Sequence, residues 1–109
     1  MILDIYDVEL DRILNFYSLN GDHDFRWYSN KFSDLFAQKK IVGKVAICEH
    51  TNELIGAYLG IPQKLLSNPL LESVQSVDTL IAKKHRGGGL LRKIADEYYS
   101  DLERAGYQC

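Results

Sequence analysis

The chain is poor in residues that build covalent or metal-held frameworks. Its 109 residues include two cysteines, Cys48 and Cys109, and three histidines, His23, His50 and His85. None falls at metal-ligand spacing, so no metal centre is expected. Cys48 sits in an apolar run and Cys109 is the last residue, which argues against a disulfide scaffold. A reducing, cytoplasmic setting is the simplest reading, with a Cys48–Cys109 bridge as the alternative. An excess of charge of one sign is also missing. Thirteen Lys and Arg stand against fifteen Asp and Glu, a formal net charge of −2. That balance excludes a general binder of nucleic acid or other long polyanions. No apolar run approaches the ~20 residues needed to cross a bilayer. Met1-Ile2-Leu3 meets Asp4 at once, unlike a cationic secretory leader. Repeats, low-complexity tracts and interdomain linkers are absent too, so the expectation is one domain over residues 1–109.

What is present suits a packed core: 46% of residues are hydrophobic and 11% aromatic. Met1–Tyr6 reads as a short first strand. From Asp7, a plausible N-cap, Val8, Leu10, Ile13, Leu14 and Tyr17 recur close to helical spacing, and Asn20-Gly21-Asp22 ends that helix. The aromatic-rich stretch Phe25–Phe36 reads as a second helix packed on a sheet, or as a lip over a cleft. Val42–Glu49 and Leu54–Ile61, joined by His50-Thr51-Asn52-Glu53, read as a β-hairpin closed by Pro62. Gly56 and Gly60 mark a bulge or a close backbone approach. Ser67-Asn68-Pro69 signals another turn, and Leu71–Ala82 a long strand. Gly89–Ala105 carries the clearest helical stripe: Leu90, Leu91, Ile94, Ala95, Tyr98 and Leu102. Arg92 with Asp96 and Lys93 with Glu97 are spaced as ion pairs on its other face, and Gly106 suits the C′ position.

Between the long strand and that helix lies Lys83-Lys84-His85-Arg86-Gly87-Gly88-Gly89-Leu90-Leu91. Three consecutive glycines let a backbone approach a ligand with no Cβ in the way. The helix that follows turns its first, unpaired N–H groups into the same space, which suits a diphosphate. Lys83, Lys84, Arg86 and Arg92 add positive charge. Because the basic character is local, it points to a small anionic ligand. A solvated, flexible turn is the bland alternative.

The run Val77-Asp78-Thr79-Leu80-Ile81, then Arg86-Gly87-Gly88-Gly89-Leu90, then Leu91-Arg92-Lys93-Ile94 resembles the acetyl-CoA-binding motif of the GNAT acyltransferase superfamily. That motif is a strand, an Arg/Gln-x-x-Gly-x-Gly/Ala turn and a helix. The order of elements around it agrees, and Leu91 replaces the final small residue of the turn. The resemblance implies a mixed α+β domain, a mostly antiparallel sheet flanked by helices. It further implies that the N–H groups of Gly87, Gly88, Gly89 and Leu90, with Leu91 next in line, hold the cofactor pyrophosphate. Arg86 would shape the turn. The backbone of Thr79, Leu80 and Ile81 would pair with the pantetheine arm and polarise the acetyl carbonyl. Lys83, Lys84 or Lys93 would meet the adenosine phosphate, or form a solvated basic face.

Acylation of an amine needs a base for the nitrogen's proton and an acid for the leaving thiolate. Asp78, in an otherwise apolar strand, is the candidate base, with a structural hydrogen bond as its other role; Glu72 is a weaker candidate. The family's usual acid is a tyrosine on a helix after a fifth strand, a part this chain lacks. Tyr98 and Tyr99 read as packing residues, and Cys48 and Cys109 lack a paired base. The expectation is therefore the N-terminal portion of a GNAT-type N-acetyltransferase, moving an acetyl group from acetyl-CoA directly to a primary amine. It would bind neither nucleic acid nor membrane, and its exposed sheet edge would favour a homodimer. The alternatives are a non-catalytic acyl-CoA- or nucleotide-binding module and a protein-interaction domain.

Overall fold

In the computed structural model, residues 1–65 and 68–106 are described, with the backbone path alone for 63–65 and 68–78. The chain runs β1 (Ile2–Asp4), α1 (Leu10–Asn20), α2 (Phe25–Ala37), β2 (Val42–Ile47), β3 (Leu54–Leu65), β4 (Asn68–Ile81) and α3 (Leu90–Arg104). Single 3-10 turns at Ile5–Asp7 and Lys83–His85 link β1 to α1 and β4 to α3. The sheet has the order β1-β2-β3-β4, every pair antiparallel.

Successive residues of β3 point to opposite faces, and the two faces carry different cores. Ala57 and Leu59 join Val45, Ile47 and Ile5 under α1 and α2, packed by Ile13, Leu14, Phe16, Tyr17, Tyr28 and Phe32. Gly56 and Tyr58 face α3, where Ala46, Ile81 and Ile94 form the second cluster. A Cβ on Gly56 would sit 2.7 Å from Ile81 Cδ1 and 2.8 Å from Ile94 Cδ1. The expected close approach is therefore the seat of α3. That helix buries Ile94, Tyr98 and Leu102, the two aliphatic side chains worth roughly 1.5–3 kcal/mol each of apolar transfer.

Several boundaries differ from the sequence reading. Asp7 does not cap α1. Asp4 caps the 3-10 turn by accepting from the Tyr6 N–H at 3.1 Å, Val8 stays extended, and α1 starts at Leu10. Pro62 does not close β3. It pairs with Val74 beyond the last β2 partner, Gly60, a stretch with β4 on one side only, where a strand tolerates proline. The aromatic segment is a helix, capped by Asp24 accepting from the Trp27 N–H at 2.9 Å. It buries Tyr28 and Phe32 and leaves Phe25 and Trp27 at its rim. In α3, Leu91 is exposed, and Arg92–Asp96 and Lys93–Glu97 are not among the ion pairs of the described residues. The charged contact of α3 is instead Lys44 to Asp101, with Arg104 on the same carboxylate. Gly106 takes φ +86 after Ala105, the expected C′ geometry. Ser67 and Tyr107–Cys109 lie outside the described residues. Among the described residues, no helix is long and apolar enough to cross a membrane.

Candidate functional site

The register of β3 against β4 slips once near the middle of the pair. Ala57 faces Leu80 and Leu59 faces Val77, so Asp78 and Thr79 share Tyr58 as their partner. One extra residue on β4 is a bulge, which leaves part of the ladder unpaired and re-aims the strand. Beyond it Thr79, Leu80 and Ile81 run to the loop with β3 on one side and no strand on the other among the described residues. Their outward backbone groups are available to an added extended chain.

At the end of β4, the Ala82 N–H donates to the Ile55 carbonyl at 2.8 Å, and the chain turns through Lys83–His85 into the glycines. Gly87 has φ +87, and Gly89, the N-cap of α3, has φ +80 and ψ +5. Both are left-handed conformations that favour glycine. A Cβ at either position would meet nothing within 4 Å, and at Gly88 the nearest atom is the His85 carbonyl at 4.0 Å. The glycines therefore keep the loop's outer side bare. Arg86 Nε donates to the Ile81 carbonyl at 2.9 Å, tying the loop back to the strand while the residue stays exposed.

These pieces enclose one cleft of about 620 Å³, within the range of small-ligand sites. It is lined by Thr79, Leu80, Ile81, Arg86, Gly87, Gly89, Leu90 and Leu91, together with His85 and Arg92. Of the residues expected along the pantetheine arm and the pyrophosphate, Gly88 is outside that lining. Among the described residues no carboxylate lines the cleft, and Arg86 and Arg92 give it positive charge. The first N–H groups of α3 add partial positive charge at the same end.

Other expected residues lie elsewhere. Lys84 lines a separate cavity of about 430 Å³ against α1 and the β2–β3 turn, while Lys83 and Lys93 line neither. Asp78 belongs to the bulge, but its side chain, like that of Glu72, lies outside the described residues. Cys48 has a free thiol beside the β2–β3 turn. Hydrogen bonding from Thr51 pulls its pKa below the ordinary thiol value, but it lines neither cavity. The sequence reading missed a contact on the α3 face. Tyr58 and Tyr99 are joined hydroxyl to hydroxyl at 2.8 Å, whereas Tyr98 is buried. Nothing in the spacing of a strand and a distant helix signals such a pair.

No family model matches the chain, and no curated protein does. Solved structures do. A GNAT family N-acetyltransferase from Escherichia coli, YhbS, in complex with CoA, superposes with a TM-score of 0.78 at 21% identity, over 98% of this chain and 58% of that one. An acetyltransferase from Trypanosoma brucei gives 0.72 at 16% identity, over 98% and 77%. The aminoglycoside 6'-N-acetyltransferase of Acinetobacter haemolyticus gives 0.75 at 10% identity, over 99% and 74%. At such identities the likeness is one of backbone path, and it extends over nearly every residue of this chain. The chain has the fold of the GNAT acetyltransferases.

Proposed function

We propose that the cleft between the end of β4 and the start of α3 binds acetyl-CoA, and that the chain serves acetyl transfer to a primary amine. The observation that carries this reading is the joining of two features in one cavity. A strand edge with no neighbouring strand among the described residues, Thr79–Ile81, leads directly into a glycine turn at a helix start. A pantetheine arm is an extended amide chain and can pair with such an edge, and a pyrophosphate suits the N–H groups of Gly87–Leu90 with Arg86 and Arg92 beside them. The CoA complex of the Escherichia coli neighbour supports the same reading.

When bound, acetyl-CoA supplies the activated acyl group. The chain's own residues hold and orient it: the bulge at Asp78–Thr79 turns backbone N–H groups towards the acyl carbonyl, and Arg86 fixes the loop through Ile81. Asp78 is our candidate for the group that takes the amine's proton, because its backbone lies in that bulge. The nitrogen attacks directly, with no enzyme-bound acyl intermediate.

Isothermal titration with acetyl-CoA and with CoA tests the site. Micromolar binding is expected, and Arg92→Glu should abolish it by putting a carboxylate in the lining of the cleft beside the diphosphate. Absence of binding at high micromolar cofactor, or unchanged affinity in the variant, overturns the assignment. Acetyl transfer to a panel of amines tests the chemistry; binding without transfer would identify a binding module instead.

A further inference from the structure

The second cavity, of about 430 Å³, opens on the α1 side of the sheet. Arg12, Asn15, Phe16 and Leu19 share one face of α1 and form one wall, while Glu53, Ile55, Ala82 and Lys84 bring in the start of β3 and the end of β4. Phe16 and Ala82 are buried and make an apolar floor; Leu19 stands at the rim with 83% of its surface exposed. The charges are mixed, two cations at Arg12 and Lys84 and a carboxylate at Glu53. Among the described residues none of these three is in an ion pair. Arg12 Nη2 donates to the Asn52 carbonyl at 2.7 Å, which holds the guanidinium against the turn that Glu53 closes. One short segment serves both cavities: Ala82 and Lys84 line this one, and Ile81, His85 and Arg86 line the cleft. The His85 N–H donates to the Ala82 carbonyl at 2.9 Å and the Arg86 N–H to that of Lys83 at 3.3 Å. A single hydrogen-bonded turn therefore joins the two linings.

We propose that this cavity binds a free α-amino acid with an apolar side chain, and that the bound amino acid tightens cofactor binding through the Lys83–His85 turn; the coupling rests on the acyl-CoA reading of the cleft. Both signs of charge around one apolar floor are what a zwitterion with an apolar body requires. Its carboxylate goes to Arg12 and Lys84, its ammonium to Glu53, and its side chain covers Phe16, Leu19 and Ile55. A plain anion would leave Glu53 facing like charge, and an amine with no carboxylate would face two cations. The amino acid is not the acyl acceptor. Leu54, next to Glu53, is already about 13 Å along β3 from Tyr58, the partner of the bulge. A ligand that pins Lys84 fixes the turn before CoA arrives, so less ordering of His85, Arg86 and the glycines is left for CoA to impose.

The test is isothermal titration of the full chain with L-leucine, with leucinamide, which lacks the carboxylate, and with N-acetylleucine, which lacks the ammonium. Leucine should bind with a millimolar or tighter Kd. Each analogue should bind at least about tenfold more weakly, the change expected on losing a hydrogen bond to a charged group. Glu53→Gln should erase the preference for leucine over N-acetylleucine, and Lys84→Gln should reduce that over leucinamide; both side chains are exposed, so the fold is kept. In amide NMR spectra leucine should shift Asn15, Ile55 and Lys84. CoA affinity should rise about fivefold or more in saturating leucine, and leucine affinity by the same factor in saturating CoA. Glu53→Gln should leave CoA affinity in the absence of leucine unchanged. No leucine binding at millimolar concentration, or equal affinity for the three probes, overturns the site. Leucine binding with no change in CoA affinity overturns the coupling. Shifts confined to Thr79–Leu91, with leucine acetylated once acetyl-CoA is added, make leucine an acceptor in the cleft and overturn the proposal. A chain that binds leucine at the cavity but does not bind CoA removes the acyl-CoA reading and the coupling with it, and the amino-acid site stands.

Discussion

Two adjacent glycines should respond to the same substitution with opposite signs. Gly89 sits at φ +80, where an L-residue costs about 1–2 kcal/mol. No neighbour lies within 4 Å of its would-be Cβ, so the cost is purely conformational and cannot be relieved by repacking. Gly88 has no left-handed φ, and its nearest neighbour is a carbonyl at 4.0 Å. Alanine there restricts the unfolded chain and stabilises by about 0.4–1 kcal/mol. Each kcal/mol shifts the midpoint of a domain near this size by about 4–8 °C. Thermal unfolding followed by circular dichroism should place Gly89→Ala several degrees below the wild type and Gly88→Ala a few degrees above it. Gly89→Asn should recover much of the loss, since asparagine tolerates the left-handed region. Shifts of the same sign at positions 88 and 89 would refute the loop geometry and, with it, the argument that this turn is shaped for close approach.

Gly43→Ala drives a Cβ into the Tyr58 carbonyl oxygen and to 2.7 Å from Leu59 Cδ2. Because a paired backbone cannot step aside as a side-chain tip can, a loss of about 2–3 kcal/mol is expected by chemical denaturation; a loss below about 0.5 kcal/mol counts against the β2–β3 spacing. Asp101 is held below its ordinary carboxylate pKa of 3.8, first by the hydrogen bond from Lys44 and then, less strongly, by Arg104. A depressed native pKa stabilises the fold above the unfolded value, and the gain is lost as pH falls through the native one. Urea midpoints of the wild type should exceed those of Asp101→Asn at neutral pH, the two converging below pH 3.8. A gap that persists at the acid end, or is absent at neutral pH, contradicts the pairing.

The parts of this fold legible in the sequence are those where one local signal suffices. The stripe Ile94, Tyr98 and Leu102 marked α3, the turn His50–Glu53 marked the hairpin, and the glycines after Arg86 marked the loop that lines the cleft. Other features depend on distant neighbours. Pro62 reads as a strand end because proline lacks an N–H, yet β2 has already stopped pairing at Gly60 and the missing donor is tolerated. Lys84 reads as part of one basic patch, but the 3-10 turn at Lys83–His85 directs it into the cavity beside α1. The Tyr58–Tyr99 hydroxyl pair joins β3 to α3 across 41 positions. No periodicity reports such a contact.

The meander order of the sheet also bears on how the chain reaches its native state. β2 with β3 and β3 with β4 are neighbours in sequence, and the first turn closes locally through Cys48 N–H to the Glu53 carbonyl at 2.9 Å. β1 alone must find its place, Leu3 beside Val45, after both α1 and α2 have been spanned. Loop-closure entropy favours the short closures first. Folding should therefore begin in the β2–β3–β4 meander with α3 seated over Gly56, the region that carries the cleft, and finish when the first strand docks at the far edge.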